Sequence, residues 1–347
     1  MVPTFYTNPK EPEKPASPLL PDPKTARDRF SRIGLGLTVL MTVMMVMALV
    51  IKTAIVSLAP QYATAWWMSW VLSLVPLYAA AVPCLYLVLK NVPVMPHHTR
   101  YTAPDGQIRE KPRFHLGHWA VLLVIALGCM YVGSLLGSGL MWVMSRLVGY
   151  DYANPLGGMM DQAPLWMILV GACVCAPFGE ELIFRKLLLD RVRGFGEAPA
   201  IILSGLLFAL FHGNLFQLFY AFVLGMILAY VYLRSGKYLW CVAMHAAINF
   251  IGSVVPIVLT PYLPTDPEAT LTAAQILVTL LMNAWVFGFI IAAIVLLCLL
   301  WPTRKLAGGL DPRSTVKSLG GMLGNAGMIA LTVVMLLLTA ANLIPPQ

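Results

Sequence analysis

The chain has 347 residues, 59% hydrophobic and 11% charged, with a formal net charge of +8. Soluble domains run at about 45–50% apolar and about 25% charged, so an ordinary soluble fold is excluded. The positive charge sits mostly in short segments between apolar runs, not in a basic stripe interleaved with aromatics, which argues against nucleic acid as a partner.

Residues 1–32 carry seven prolines and mixed charge, and read as a disordered tail without a signal-peptide pattern. Nine apolar runs follow, at about 33–58, 65–89, 119–147, 164–189, 198–214, 215–233, 238–259, 273–300 and 320–343. Most approach the 20 residues needed to cross a hydrocarbon core of roughly 30 Å. The expected fold is all-α, a polytopic transmembrane bundle of about nine helices. Fusion of 198–214 with 215–233 across Gly213-Asn214 would leave eight.

Charge distribution orients the bundle. The tail, the 90–118 loop, the 190–197 turn, the Arg234–Lys237 turn and the 302–319 loop hold nearly all the basic residues. The intervening segments near 59–64, 148–163 and 260–272 carry Asp151, Asp161, Asp266 and Glu268 instead. Alternation over nine crossings puts the N-terminus in the cytoplasm, whereas a fused pair would break it. The six cysteines all lie inside apolar runs and read as small hydrophobes, not disulfide or metal partners. Pro177 is expected to kink the run that contains it.

Ionisable groups inside the runs carry the functional information. Of 15 acidic residues only Glu180 and Glu181 lie within one, and of six histidines only His212 and His245. Charge at the bilayer centre costs at least about 2.5–3.5 kcal/mol, so such residues mark function by default. A lone Glu could simply pair with an Arg, and a lone His could simply join two helices. Four such groups on three helices, with Asn249 beside them, are harder to explain that way.

Glu181 and Arg185 stand at i and i+4, a spacing suited to an ion pair. Glu180 is rotated about 100° away and faces another neighbour, free to act as a base. Phe208 lies one turn before His212 and can pack on its ring. His245 and Asn249 point the same way one turn apart, which suits two donors aimed at a developing oxyanion. Measured from a boundary near Arg191–Arg193, Glu180 is about 15 Å deep; His245 is about 12 Å beyond Lys237. His212 is about 22 Å beyond Glu197, deeper than its expected partners.

Glu-Glu-x-x-x-Arg (180–185), Phe-x-x-x-His (208–212) and His-x-x-x-Asn (245–249), in this order on successive helices, resemble the CPBP intramembrane proteases. That family includes type II CAAX prenyl endopeptidases and bacteriocin-immunity, abortive-infection-type proteins. The resemblance covers roughly 160–255, giving a core at 159–259 between N-terminal helices (33–158) and C-terminal helices (260–347). It implies a peptidase in which Glu180 activates water, His212 holds it, and His245 with Asn249 stabilises the oxyanion. Glu181, Arg185 and Phe208 would be supporting residues.

No cofactor is required on this reading. A metalloprotease remains the competing mechanism, with a divalent ion such as zinc on Glu180, His212 and His245. The sequence lacks His-Glu-x-x-His, Gly-x-Ser-x-Gly and any aspartate within an apolar run. The implied partners are the lipid bilayer and a peptide or membrane-protein substrate, and the loop style looks bacterial. From a different class comes a non-proteolytic protein of the same fold, an immunity scaffold or a transporter using the buried Glu and His.

Overall fold

The computed structural model describes residues 23–95, 97, 100–102, 108–110, 113–263, 270–300 and 319–344. The main helices, in chain order, are α1 (Pro23–Leu58), α2 (Met68–Leu89), α3 (Leu116–Val148) and a short α4 (Pro155–Asp161). Next come α5 (Leu165–Phe195), α6 (Glu197–Phe211), α7 (Leu215–Ser235) and α8 (Tyr238–Tyr262). The last three are α9 (Ala273–Leu300), α10 (Leu319–Leu323) and α11 (Ala326–Ala341). Each of the nine apolar runs is therefore helical, and the bundle is a polytopic helical one. Seven helices are long and apolar enough to cross a membrane; α6 and α11, with 15 and 16 residues, are shorter.

Helix ends fall into two sets on opposite sides of the bundle. On one side Phe30 packs on Phe195 and Trp119 Nε1 donates to the Trp240 carbonyl at 3.1 Å. There too Arg191 donates to Leu89 O, Arg234 pairs with Glu197 at 2.8 Å, and Gly327 N donates to Ser31 Oγ. On the other side Trp66 meets Trp166, Tyr152 donates to Leu343 O, and Asn342 donates to Gly213 O. Successive long helices thus alternate in direction, as the charge pattern requires. The break between α6 and α7 is a tight turn: Gly213 takes a left-handed φ of 60°, and the Asn214 side chain accepts from Gln217 N to cap α7.

Two differences from the sequence reading stand out. Residues 23–32 are helical, because Pro23 suits a first helical position and because Arg29 and Phe30 are buried against Met95 and Phe195. The disordered tail expected at 1–32 therefore cannot extend past 22, and residues 1–22 lie outside the described residues. The 90–118 loop also holds a two-stranded antiparallel hairpin, β1 (Arg100–Thr102) with β2 (Ile108–Glu110). Pro104-Asp105-Gly106 between those segments is the turn signal that could have announced it. The 302–319 loop, apart from Leu319, and most of the acidic part of 260–272 also lie outside the described residues.

Close packing rests on small residues, as expected where lipid is as apolar as the helix surface. Gly128 lets α3 approach α9, while Gly133 and Gly137 let it approach α7. The tightest crossing joins α1 to α11: a Cβ on Gly327 would sit 1.8 Å from Ser31 O, and one on Gly34 2.3 Å from Gly327 C. Both obstacles are backbone, so no side chain can yield. Gly327→Val should therefore lower stability by about 1–3 kcal/mol in thermal unfolding in detergent. Gly288→Ala, in mid-helix with nothing within 4 Å, should leave it unchanged or slightly raised.

Candidate active site

The site is built on the middle of α5. Pro177 has no N–H to donate, and the helix widens into π-helical turns at Gly171–Cys175 and Leu182–Leu189. Three side chains meet the carbonyls of this irregular stretch. Asn249 Nδ2 donates to Ala172 O at 2.8 Å, the Tyr78 hydroxyl to Cys175 O, and the Tyr238 hydroxyl to Phe178 O. The short segment Ala176–Glu181, held in this way, presents both glutamates.

Glu181 is fully buried and serves two neighbours. Its Oε2 lies 2.8 Å from Arg185 Nε, and its Oε1 accepts from His245 Nδ1 at 2.9 Å. Arg185, equally buried, donates through Nη1 to Ser204 Oγ at 2.8 Å and lies over the Phe208 ring at 5.4 Å. Phe208 also packs edge-on against both histidines, with ring centroids 4.9 Å from His212 and 5.7 Å from His245.

Those contacts fix how the two imidazoles face. His212 Nδ1 donates to Phe208 O at 2.7 Å, and His245 Nδ1 donates to Glu181. In the neutral rings each Nε2 is left as an acceptor. Both Nε2 atoms point at one spot: Glu180 Oε2 lies 4.0 Å from His212 Nε2 and 3.9 Å from His245 Nε2. That oxygen is buried and makes no hydrogen bond among the described residues. A buried carboxylate oxygen without a partner is costly, so a small polar guest beside it would be stabilised.

The structure thus brings Glu180, Glu181, Arg185, Phe208, His212 and His245 together. Asn249 lies one turn beyond His245, and one of its amide N–H groups is engaged by the Ala172 carbonyl. Glu181 holds His245 as well as Arg185, a contact the i,i+4 reading did not include. The depth conflict disappears. Arg191, 4% exposed, bonds to Leu89 and Leu187 carbonyls and does not mark a water boundary. α5 runs on to Phe195, so Glu180 lies fifteen residues from its end (195 − 180), as His212 lies fifteen from Glu197 (212 − 197).

Ser204, Tyr78 and Tyr238 were missed. Ser204 falls on the same four-residue ladder as Phe208 and His212, and Tyr238 lies two turns before His245, so spacing could have found both. Tyr78 is 97 residues from its acceptor, and no local pattern points to it.

Removing one member of the buried pair should be severe. Arg185→Met leaves Glu181 uncompensated and is expected to cost about 3–5 kcal/mol in thermal or denaturant unfolding. The double variant Glu181→Leu/Arg185→Met should recover most of that stability while leaving His245 unanchored.

Residues 162–251 match the family described as Type II CAAX prenyl endopeptidase Rce1-like. No curated protein and no solved structure matches the chain. The matched segment spans α5 to α8 and contains every residue of the cluster from Glu180 to Asn249. Over that segment, about a quarter of its length, the chain is similar to the type II CAAX prenyl endopeptidases.

Proposed function

We propose that the chain is an intramembrane endopeptidase in which Glu180 activates a water molecule held beside His212 and His245. The observation that carries this reading is the partnerless Glu180 Oε2 facing two Nε2 atoms at 3.9 and 4.0 Å. A water at ordinary hydrogen-bond distance, about 2.8 Å, can bridge Glu180 Oε2 and an imidazole Nε2, donating one O–H to each. It gives its proton to Glu180 as its oxygen attacks the scissile carbonyl carbon. Glu180 then returns that proton to the leaving amine as the C–N bond breaks.

The tetrahedral oxyanion needs donors. Asn249 can offer its second N–H, the first being engaged by Ala172. His245 can donate from Nε2 only when both its nitrogens are protonated, and Glu181 at Nδ1 is the counter-charge available to that ring. Arg185, Ser204 and Phe208 keep Glu181 and the imidazoles in place.

Donor spacing favours water over a catalytic zinc. At zinc–ligand distances of about 2.0–2.1 Å, tetrahedral donors stand about 3.3 Å apart, closer than those here. Among the described residues no group of three His, Cys, Asp or Glu side chains closes to metal-binding spacing. Treatment with 1,10-phenanthroline, checked by metal analysis of the treated protein, should leave hydrolysis unchanged. Loss of activity restored by zinc would overturn the water-only mechanism.

The substrate class we propose is a membrane-associated peptide, with the N-terminal side of the bundle in the cytoplasm. A bacterial cell membrane is the setting suggested by the short loops. Two internally quenched peptides in proteoliposomes, one with a farnesylated cysteine and one without, test the chemistry and the lipid requirement together. Glu180→Gln is expected to lower kcat by at least about 10³-fold, with His212→Ala and His245→Ala also strongly impaired. Undiminished cleavage by folded Glu180→Gln protein would sink the peptidase reading. Absence of any cleavage by the wild-type protein, with its biological effect kept in all three variants, would point to a scaffold.

A further inference from the structure

On that reading of the site, we propose that Asn342, on a C-terminal segment outside the matched core, is a positioning residue for His212. His212 is not held within a regular helix. It is the residue at which α6 ends, and the last turn is tightened: His212 N donates to Ala209 O and Gly213 N to Leu210 O. The Phe208 carbonyl, which a continuing helix would offer to the His212 N–H, is taken by the His212 ring itself. The direction of Nε2 therefore depends on the geometry of this final turn.

Gly213 follows at a φ of 60°, and Asn214 begins the cap of α7. A glycine at a helix end is the least constrained residue the turn could have. Its carbonyl is nonetheless fixed from outside, accepting from Asn342 Nδ2 at 2.8 Å. Asn342 is anchored in turn: it caps α11, and the next carbonyl, Leu343 O, accepts from the Tyr152 hydroxyl at 2.6 Å. α11 is locked at its other end by the glycine crossing with α1. A rigid path thus runs from that crossing along α11 to the turn beneath His212. Its polar link to the turn is one hydrogen bond.

Misplacing a reacting group by about 1 Å can cost up to 10²-fold in rate. Asn342→Leu keeps the volume and removes the donor; Asn342→Asp keeps size and polarity but presents only acceptors when ionised. Two variants guard against one failing to fold. Each should lower kcat for the quenched peptide by about tenfold, with KM within twofold of wild type. Thr339→Val, which removes a hydroxyl bonded to Met335 O one turn earlier on α11, should change neither constant. Melting temperatures measured on the same preparations separate positioning from a general loss of fold.

The inference is overturned if both Asn342 variants keep wild-type kcat. It is equally overturned if Thr339→Val lowers kcat as much, or if KM alone changes. Glu180→Gln, run alongside, keeps the two claims distinct: an active Glu180→Gln protein defeats the peptidase reading whatever the Asn342 variants do.

Discussion

The buried Glu181–Arg185 pair is the constraint on which the rest of the site depends. Two full charges held away from water are tolerated only when each is matched and its remaining hydrogen-bonding capacity is used. Here Arg185 spends its guanidinium on Glu181, Ser204 and the face of Phe208, drawing α5 and α6 together. Glu181 spends its second oxygen on His245, drawing in α8. One ion pair therefore sets the relation of the three helices that supply the site. It also leaves Glu180, next in sequence, without an arginine or lysine partner among the described residues.

That division of labour explains why two adjacent glutamates are needed. A single carboxylate could not both neutralise an arginine and stay available to a small polar guest. The helical turn separates the tasks, since neighbouring side chains point about 100° apart. The π-helical turns on either side of Ala176–Glu181 matter for the same reason. Carbonyls in and beside them accept from Tyr78, Tyr238 and Asn249, which tie the irregular helix to its neighbours. Irregular backbone at such depth is tolerated only where protein groups satisfy it.

Much of this was legible in the sequence because it is local or periodic. The nine helical runs follow from hydropathy, the Gly213-Asn214 turn from charge alternation, and the Glu181–Arg185 and Phe208–His212 contacts from spacing by one turn. What escaped depends on long-range packing. Tyr78 and Asn342 reach acceptors 97 and 129 residues away, and nothing near either residue announces it. The depth misjudgement had a different origin: Arg191 looked like a residue at the water boundary, whereas its charge is absorbed by helix-end carbonyls. The bond from Asn249 to Ala172 was hidden because it depends on the π-helical widening, which no spacing rule foretells.

The shortness of α6 bears on how water reaches such a site. Fifteen residues rise about 22 Å, some 8 Å less than a hydrocarbon core of roughly 30 Å. A helix ending that early is short of the full span, and a bilayer accommodates a short hydrophobic stretch by thinning locally. Lipid near the α6–α7 hairpin would then stand lower than around the longer helices. Hydrolysis consumes one solvent molecule per bond cut, and a dimple over His212 shortens the route that molecule travels. On the proposed hydrolytic reading, the abrupt end of one helix would serve supply as well as geometry.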